Sequence, residues 1–271
     1  MATPGFAHEA HAAPATFLLP LLAVSLVAGG YVALVAHQRR NAAMWSRWRT
    51  TSFLTGCGLV VLAVLPAMSP FPDGDFRGHM LQHLLIGMVA PTGLALGAPV
   101  SLLLRSVPVR RRRLIATVLR SSVVHALTNA ATILTLNIGG LVALYATPLY
   151  AVIDASPAAH HLVHLHFLIS GYLFAWLIAG RDPMPRRPSV PARLVLLGVA
   201  IAAHAVLSQL MYAGLLGGAE VPTEQLHGAA TLMYYGGDLA ELTLAFALVT
   251  TWQPRRNRPK AAQTSLVSSI R

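Results

Sequence analysis

The chain has 271 residues, of which 55% are hydrophobic and only 11% charged, and its mean hydropathy is +0.60. That balance excludes an ordinary soluble domain and predicts a polytopic membrane protein. The net charge of +11 falls in short basic blocks between apolar runs, so it reads as positive-inside loops facing anionic lipid headgroups, with no nucleic-acid partner, and the single Cys57 excludes a disulfide or cysteine-zinc framework within the chain.

Residues 1–15 are small and polar, with His8, Glu9 and His11 and no basic residue ahead of the first apolar run. They read as an extracytoplasmic tail before an uncleaved span. A membrane domain is expected over residues 16–252, an all-α bundle of seven helices, followed by a basic cytoplasmic tail at 253–271. The first span, Thr16 to Ala36, leads to Arg39, Arg40, Arg47 and Arg49. The second, Thr51 to Met68, ends in a Pro/Gly/Asp turn with Asp73 and Asp75. The third starts at Gly78 and runs to Arg105 and the block Arg110 to Arg113.

The fourth span, Val123 to Tyr145, carries Asn129 and Asn137 and leads to an outer loop with Pro148 and Asp154. The fifth starts at a histidine cluster and ends at Gly180-Arg-Asp-Pro, a stiff basic loop. The sixth, Pro191 to Leu216, holds His204, Gln209, Met211 and Tyr212, and an outer loop with Glu220 and Glu224 follows. The seventh, Gln225 to Thr250, holds His227, Met233, Asp238 and Glu241, and Arg255, Arg256, Arg258, Lys260 and Arg271 close the chain. All but Arg77 of the 20 lysines and arginines then fall on one side, which places the N-terminus outside and the C-terminus in the cytoplasm.

This topology collects histidines. His79 and His83 are four apart and share a helical face, and His160 and His164 repeat the spacing, with His161 between them. With His227 they gather at the outer ends of the third, fifth and seventh spans. Such pairs are candidate metal ligands, and the thioethers of Met80, Met88, Met211 and Met233 favour Cu(I) over zinc or magnesium. Gln82 and Tyr172 are candidate partners for the ligands. Haem is the weaker alternative, because most of these histidines lie at span ends rather than pairing across a core. Deeper in the membrane, Asp238 reaches the depth of His204, and Glu241 lies a turn further toward the cytoplasm. These residues, with Gln209 and Tyr212, are candidates for a proton relay or cation path.

The motifs Gly78-His-Met-Leu-Gln-His-Leu-Leu, Val89-Ala-Pro, Leu96-Gly-Ala-Pro-Val, His160-His-Leu-Val-His, Ser170-Gly-Tyr-Leu-Phe and Gly180-Arg-Asp-Pro, with His204, resemble the multi-spanning CtaG-type cytochrome c oxidase assembly factors of bacteria. The resemblance covers about residues 20–250. In the seventh span Glu224-Gln225 and Met233-Tyr234 stand where that family has Asp-Gln and Met-Trp. The resemblance implies a non-catalytic factor in the bacterial plasma membrane that matures a haem-copper oxidase and holds or delivers copper on the outer side. Its partners would be oxidase subunits and lipids, and a second copy of the chain is an open alternative. The residues also leave open a copper or proton transporter and a haem or quinol redox protein.

Overall fold

The computed structural model describes residues 15–251 except 43, 66–68, 73, 155 and 217–220. The expected N-terminal tail apart from Ala15, the basic tail at 253–271, and Met68, Asp73 and Glu220 lie outside the described residues. Among the described residues the chain is all-helical: α1 (Ala15–Arg40), α2 (Arg47–Val64), α3 (Phe76–Leu84), a π-helical segment (Leu85–Val89), α4 (Ala90–Leu96), α5 (Pro99–Ser106), α6 (Val109–Leu119), α7 (Ser122–Leu127), α8 (Ala130–Ala146), α9 (Leu149–Asp154), α10 (Pro157–Ile178), α11 (Val190–Tyr212) and α12 (Thr223–Thr251).

Five stretches are long and apolar enough to cross a membrane: Leu18–Arg40, Phe76–Ser106, Ala158–Ile178, Val190–Tyr212 and Thr223–Thr251. The other two expected spans, α2 and α8, have 18 and 17 residues, short of the roughly 20 that a full crossing takes. Leucines 18, 22 and 26 on α1 and Leu239, Leu242 and Phe246 on α12 are exposed, as side chains meeting lipid would be.

Two expected spans are broken, each for a local reason. The third is continuous only as far as Leu84, then widens into the π segment, where the Ala90 N–H donates to the Leu85 carbonyl five residues back. It stops at Gly97, because Ala98 adopts a left-handed conformation (φ 52°) and Pro99 starts a new helix. The fourth is interrupted at Asn129, whose side chain accepts from Ala131 N–H and caps α8. An asparagine that looked intramembrane is thus a helix start.

Close packing holds the histidine-bearing helix in the centre. α10 crosses the π segment so tightly that a Cβ on Gly171 would collide with the Gly87 carbonyl oxygen. On the other side, Ser52 of α2 donates to the Gly93 carbonyl at 3.0 Å. α12 packs along α3, and α11 packs along α12.

The arginine-rich end is fixed by Asp182, which is only 1% exposed. Its carboxylate accepts from the N–H groups of Val100 (2.9 Å) and Ser101 (2.6 Å), capping α5 from across the bundle. Arg187 donates to the carbonyls of Gly180, Trp176 and Asp182, and Arg193 donates to the Ile178 carbonyl at 2.7 Å. The end of α10 is thereby closed by side chains from the following loop and helix. In the stretch Gly180-Arg-Asp-Pro, read as a stiff basic loop, Gly180 and Asp182 are buried while Arg181 and Pro183 are exposed, and burial lowers the Arg187 pKa below its ordinary value.

Candidate functional site

α3 and α10 start at the same end of the bundle, and each carries histidines on its first and second turns. The result is two stacked rungs. His79 faces His160 with ring centroids 5.6 Å apart, and one turn deeper His83 faces His164 at 5.1 Å. Along each helix the rings are 4.2 Å (His79 to His83) and 4.3 Å (His160 to His164) apart. Aromatic rings wall the group: Phe76 stacks on His79, Tyr150 meets His79 edge-on at 5.0 Å, and Phe167 meets His83 at 4.8 Å.

The imidazoles are poorly satisfied. His79 Nε2, both ring nitrogens of His83 and His164 Nε2 are buried with no hydrogen-bond partner. Each such nitrogen costs about 1–3 kcal/mol relative to a bonded one. Natural proteins rarely concentrate that penalty at one spot without a ligand to relieve it. The rings are neighbours rather than a converged ligand set, since among the described residues no group of three His, Cys, Asp or Glu is already posed around a metal position. The orphaned nitrogens and the donor chemistry fit a borderline or soft metal, and His79, His83, His160 and His164 are the residues that could hold one.

A polar lock ties the top of the site together. Asp75 caps α3 by accepting from Arg77 N–H at 2.8 Å, and its carboxylate pairs with the Arg77 guanidinium at 2.7 Å. These side-chain bonds to Arg77 hold the Asp75 carboxyl below its usual pKa range. Gln225 Oε1 accepts from the Phe76 N–H at 3.2 Å, and Glu224 lies 3.7 Å from Arg77. The pair Glu224-Gln225 therefore fastens the start of α12 to the turn just before His79. Arg77, the lone basic residue expected on the outer side, is matched there by carboxylates.

The other candidates are distributed differently. His161 lies one position round α10, about 100° from His160. His227 stacks on Tyr212 at 4.2 Å, and Tyr212 and Gln209 are exposed. Met80 is buried, and its sulfur accepts from Tyr145 Oη–H at 3.6 Å. Gln82 donates to the Ala63 carbonyl of α2 at 2.8 Å, and Tyr172 packs on Trp176, so each has its own neighbour elsewhere. Depth arithmetic paired His204 with Asp238. In the structure the close carboxylate is Glu241, with Oε1 3.9 Å from His204 Nδ1 and a side chain 4% exposed, whereas Asp238 is only partly buried. Tyr145, Tyr150 and Phe167 had no sequence signal of their own, since single aromatics in apolar runs look alike.

An all-helical chain with membrane-length apolar helices and a histidine cluster at one end defines a polytopic membrane protein with a buried, nitrogen-rich site. The chain belongs to the cytochrome c oxidase caa3 assembly factor family (Caa3_CtaG), which it matches over residues 29–255. It is 34% identical over 187 residues to uncharacterized proteins of Mycobacterium bovis and Mycobacterium tuberculosis, a match that takes in 66% of this chain and 28% of theirs. A Mycobacterium leprae protein, also uncharacterized, is 33% identical over 191 residues, 68% of this chain and 29% of its own length. The chain thus spans under a third of these curated relatives. No solved structure matches it.

Proposed function

We propose that this protein is a copper-holding assembly factor for a haem-copper cytochrome c oxidase, acting from the outer face of a bacterial plasma membrane. In this reading the chain crosses seven times, with α2 and α8 as short spans, the N-terminus outside and the C-terminus in the cytoplasm. The basic residues of the Arg110 to Arg113 block and of the α10–α11 loop support that orientation. The observation that carries the copper reading is the set of orphaned imidazole nitrogens on the two rungs.

His79, His83, His160 and His164 would hold the ion, and the aromatic wall would keep water from it. The Asp75, Arg77 and Gln225 lock fixes the start of α3, from which His79 and His83 project. Copper is the cargo, and oxidase subunits are its recipients. A haem reading fits less well, because rings 5.1 and 5.6 Å apart across the rungs leave no slot for a porphyrin between them.

The test is Cu(I) titration against a competing chelator. A single site shared by the two helical pairs, His79/His83 and His160/His164, requires that His83→Ala and His164→Ala each abolish most of the binding. Independent, additive losses would mean separate sites, and unchanged affinity in both variants would remove the copper reading.

A further inference from the structure

Below the second rung lies a small cavity of about 30 Å³, lined by His83, Met88, Asn137, His204, Met233 and Glu241 among others. His204 and Glu241 are 6% and 4% exposed, on neighbouring helices α11 and α12. Their nearest polar atoms are 3.9 Å apart, beyond hydrogen-bond reach, and Glu241 Oε2 has no hydrogen-bond partner. A carboxylate and an imidazole that merely satisfied each other would close that gap. Here both line a shared space, and Met88 lines it with them.

The donor set selects its ligand. Thioether sulfur with imidazole nitrogen suits a soft ion and is indifferent to magnesium or calcium. We propose that His204 and Glu241, with Met88, form a second site for one soft monovalent metal ion, Cu(I) or Ag(I), inside the bundle. It shares a cavity with His83, so an ion leaving the histidine rungs reaches a second donor set without passing through bulk water. This site goes beyond the histidine rungs and stands on different residues.

The experiment counts Ag(I) bound to the full-length protein in mild detergent, with Cu(I) X-ray absorption as a second readout. Glu241→Gln is expected to lose one equivalent and keep the rung site. The double variant His83→Ala/His164→Ala should keep one equivalent, with sulfur among its near neighbours. Adding Met88→Leu to that double variant should weaken the retained equivalent by roughly tenfold. Wild-type stoichiometry in Glu241→Gln, or no Ag(I) at all on the double histidine variant, would overturn the proposal. If Glu241→Gln does not fold, Met88→Leu decides, and an unchanged affinity for the retained ion counts against it. A wild-type protein that binds a single equivalent, lost in Glu241→Gln and kept in the double histidine variant, would sink the outer copper reading and leave this site standing.

Discussion

The imidazole of His204 rests directly on the backbone of Gly237, where an added Cβ would overlap its Cε1 and Nδ1. The contact sets where the ring sits relative to Glu241, one turn further along α12. Gly237→Ala is therefore expected to push the ring away and cost about 1–3 kcal/mol, despite the better helix propensity of alanine. Thermal unfolding in detergent measures the cost. A variant as stable as wild type would mean that the ring has room to move.

Asp182 should matter to folding more than its place in a loop suggests. Asp182→Ala leaves the Val100 and Ser101 N–H groups buried without an acceptor and should cost about 2–3 kcal/mol, with Asp182→Asn losing roughly half of that. Unfolding midpoints of the two variants give the comparison, and a cost below that of an ordinary surface substitution would contradict the capping of α5.

The lock at Asp75 has a defined acid limit. Its folded pKa lies below the ordinary value of 3.8, so its contribution is complete above that value and is lost as pH falls through the lower folded pKa. The stability difference between wild type and Asp75→Asn should be constant from neutral pH down to about 5 and shrink only below about 4. A difference already declining between pH 7 and 6 would assign the effect to another group.

Gln82 separates position from role. It sits beside His83 in sequence yet donates to α2. Gln82→Leu should lower stability by about 1 kcal/mol and leave Cu(I) affinity unchanged. A large loss of affinity would return Gln82 to the metal site.

Reporter fusions after Arg49, Arg113 and Arg187 should report cytoplasm, and fusions at Asp154 and Glu224 the outside. An outside signal at Arg113 would reverse the orientation and place the histidine rungs on the cytoplasmic face.

The two His-x-x-x-His pairs were legible in the sequence because helical spacing alone puts each pair on one face, and basic loops alone put both pairs at one end. What spacing could not supply was rotation about the helix axis. Asp238 and Glu241 are three residues apart, and counting residues inward favoured the first as the partner of His204, but the face of α12 that meets the ring carries Gly237 and, one turn on, Glu241. The same blindness applies to Gln82, whose sequence neighbour is a candidate ligand and whose actual neighbour is the α2 backbone. Asp182 was hidden differently. Beside a proline in a basic stretch it looked like a turn residue, and only the return of the chain at Ala98 brings two unsatisfied N–H groups to it.

The π-helical turn between His83 and Pro91 holds one residue more than an α-helix following the same path would need. A homologue could lose that residue and keep the faces of both flanking helices, so a one-position gap there in an alignment would mark a straightened helix with its histidines still in place. The interval from the second histidine to Pro91 thus serves as a ruler: counted in any related sequence, it tells whether the bulge is present before a structure is known.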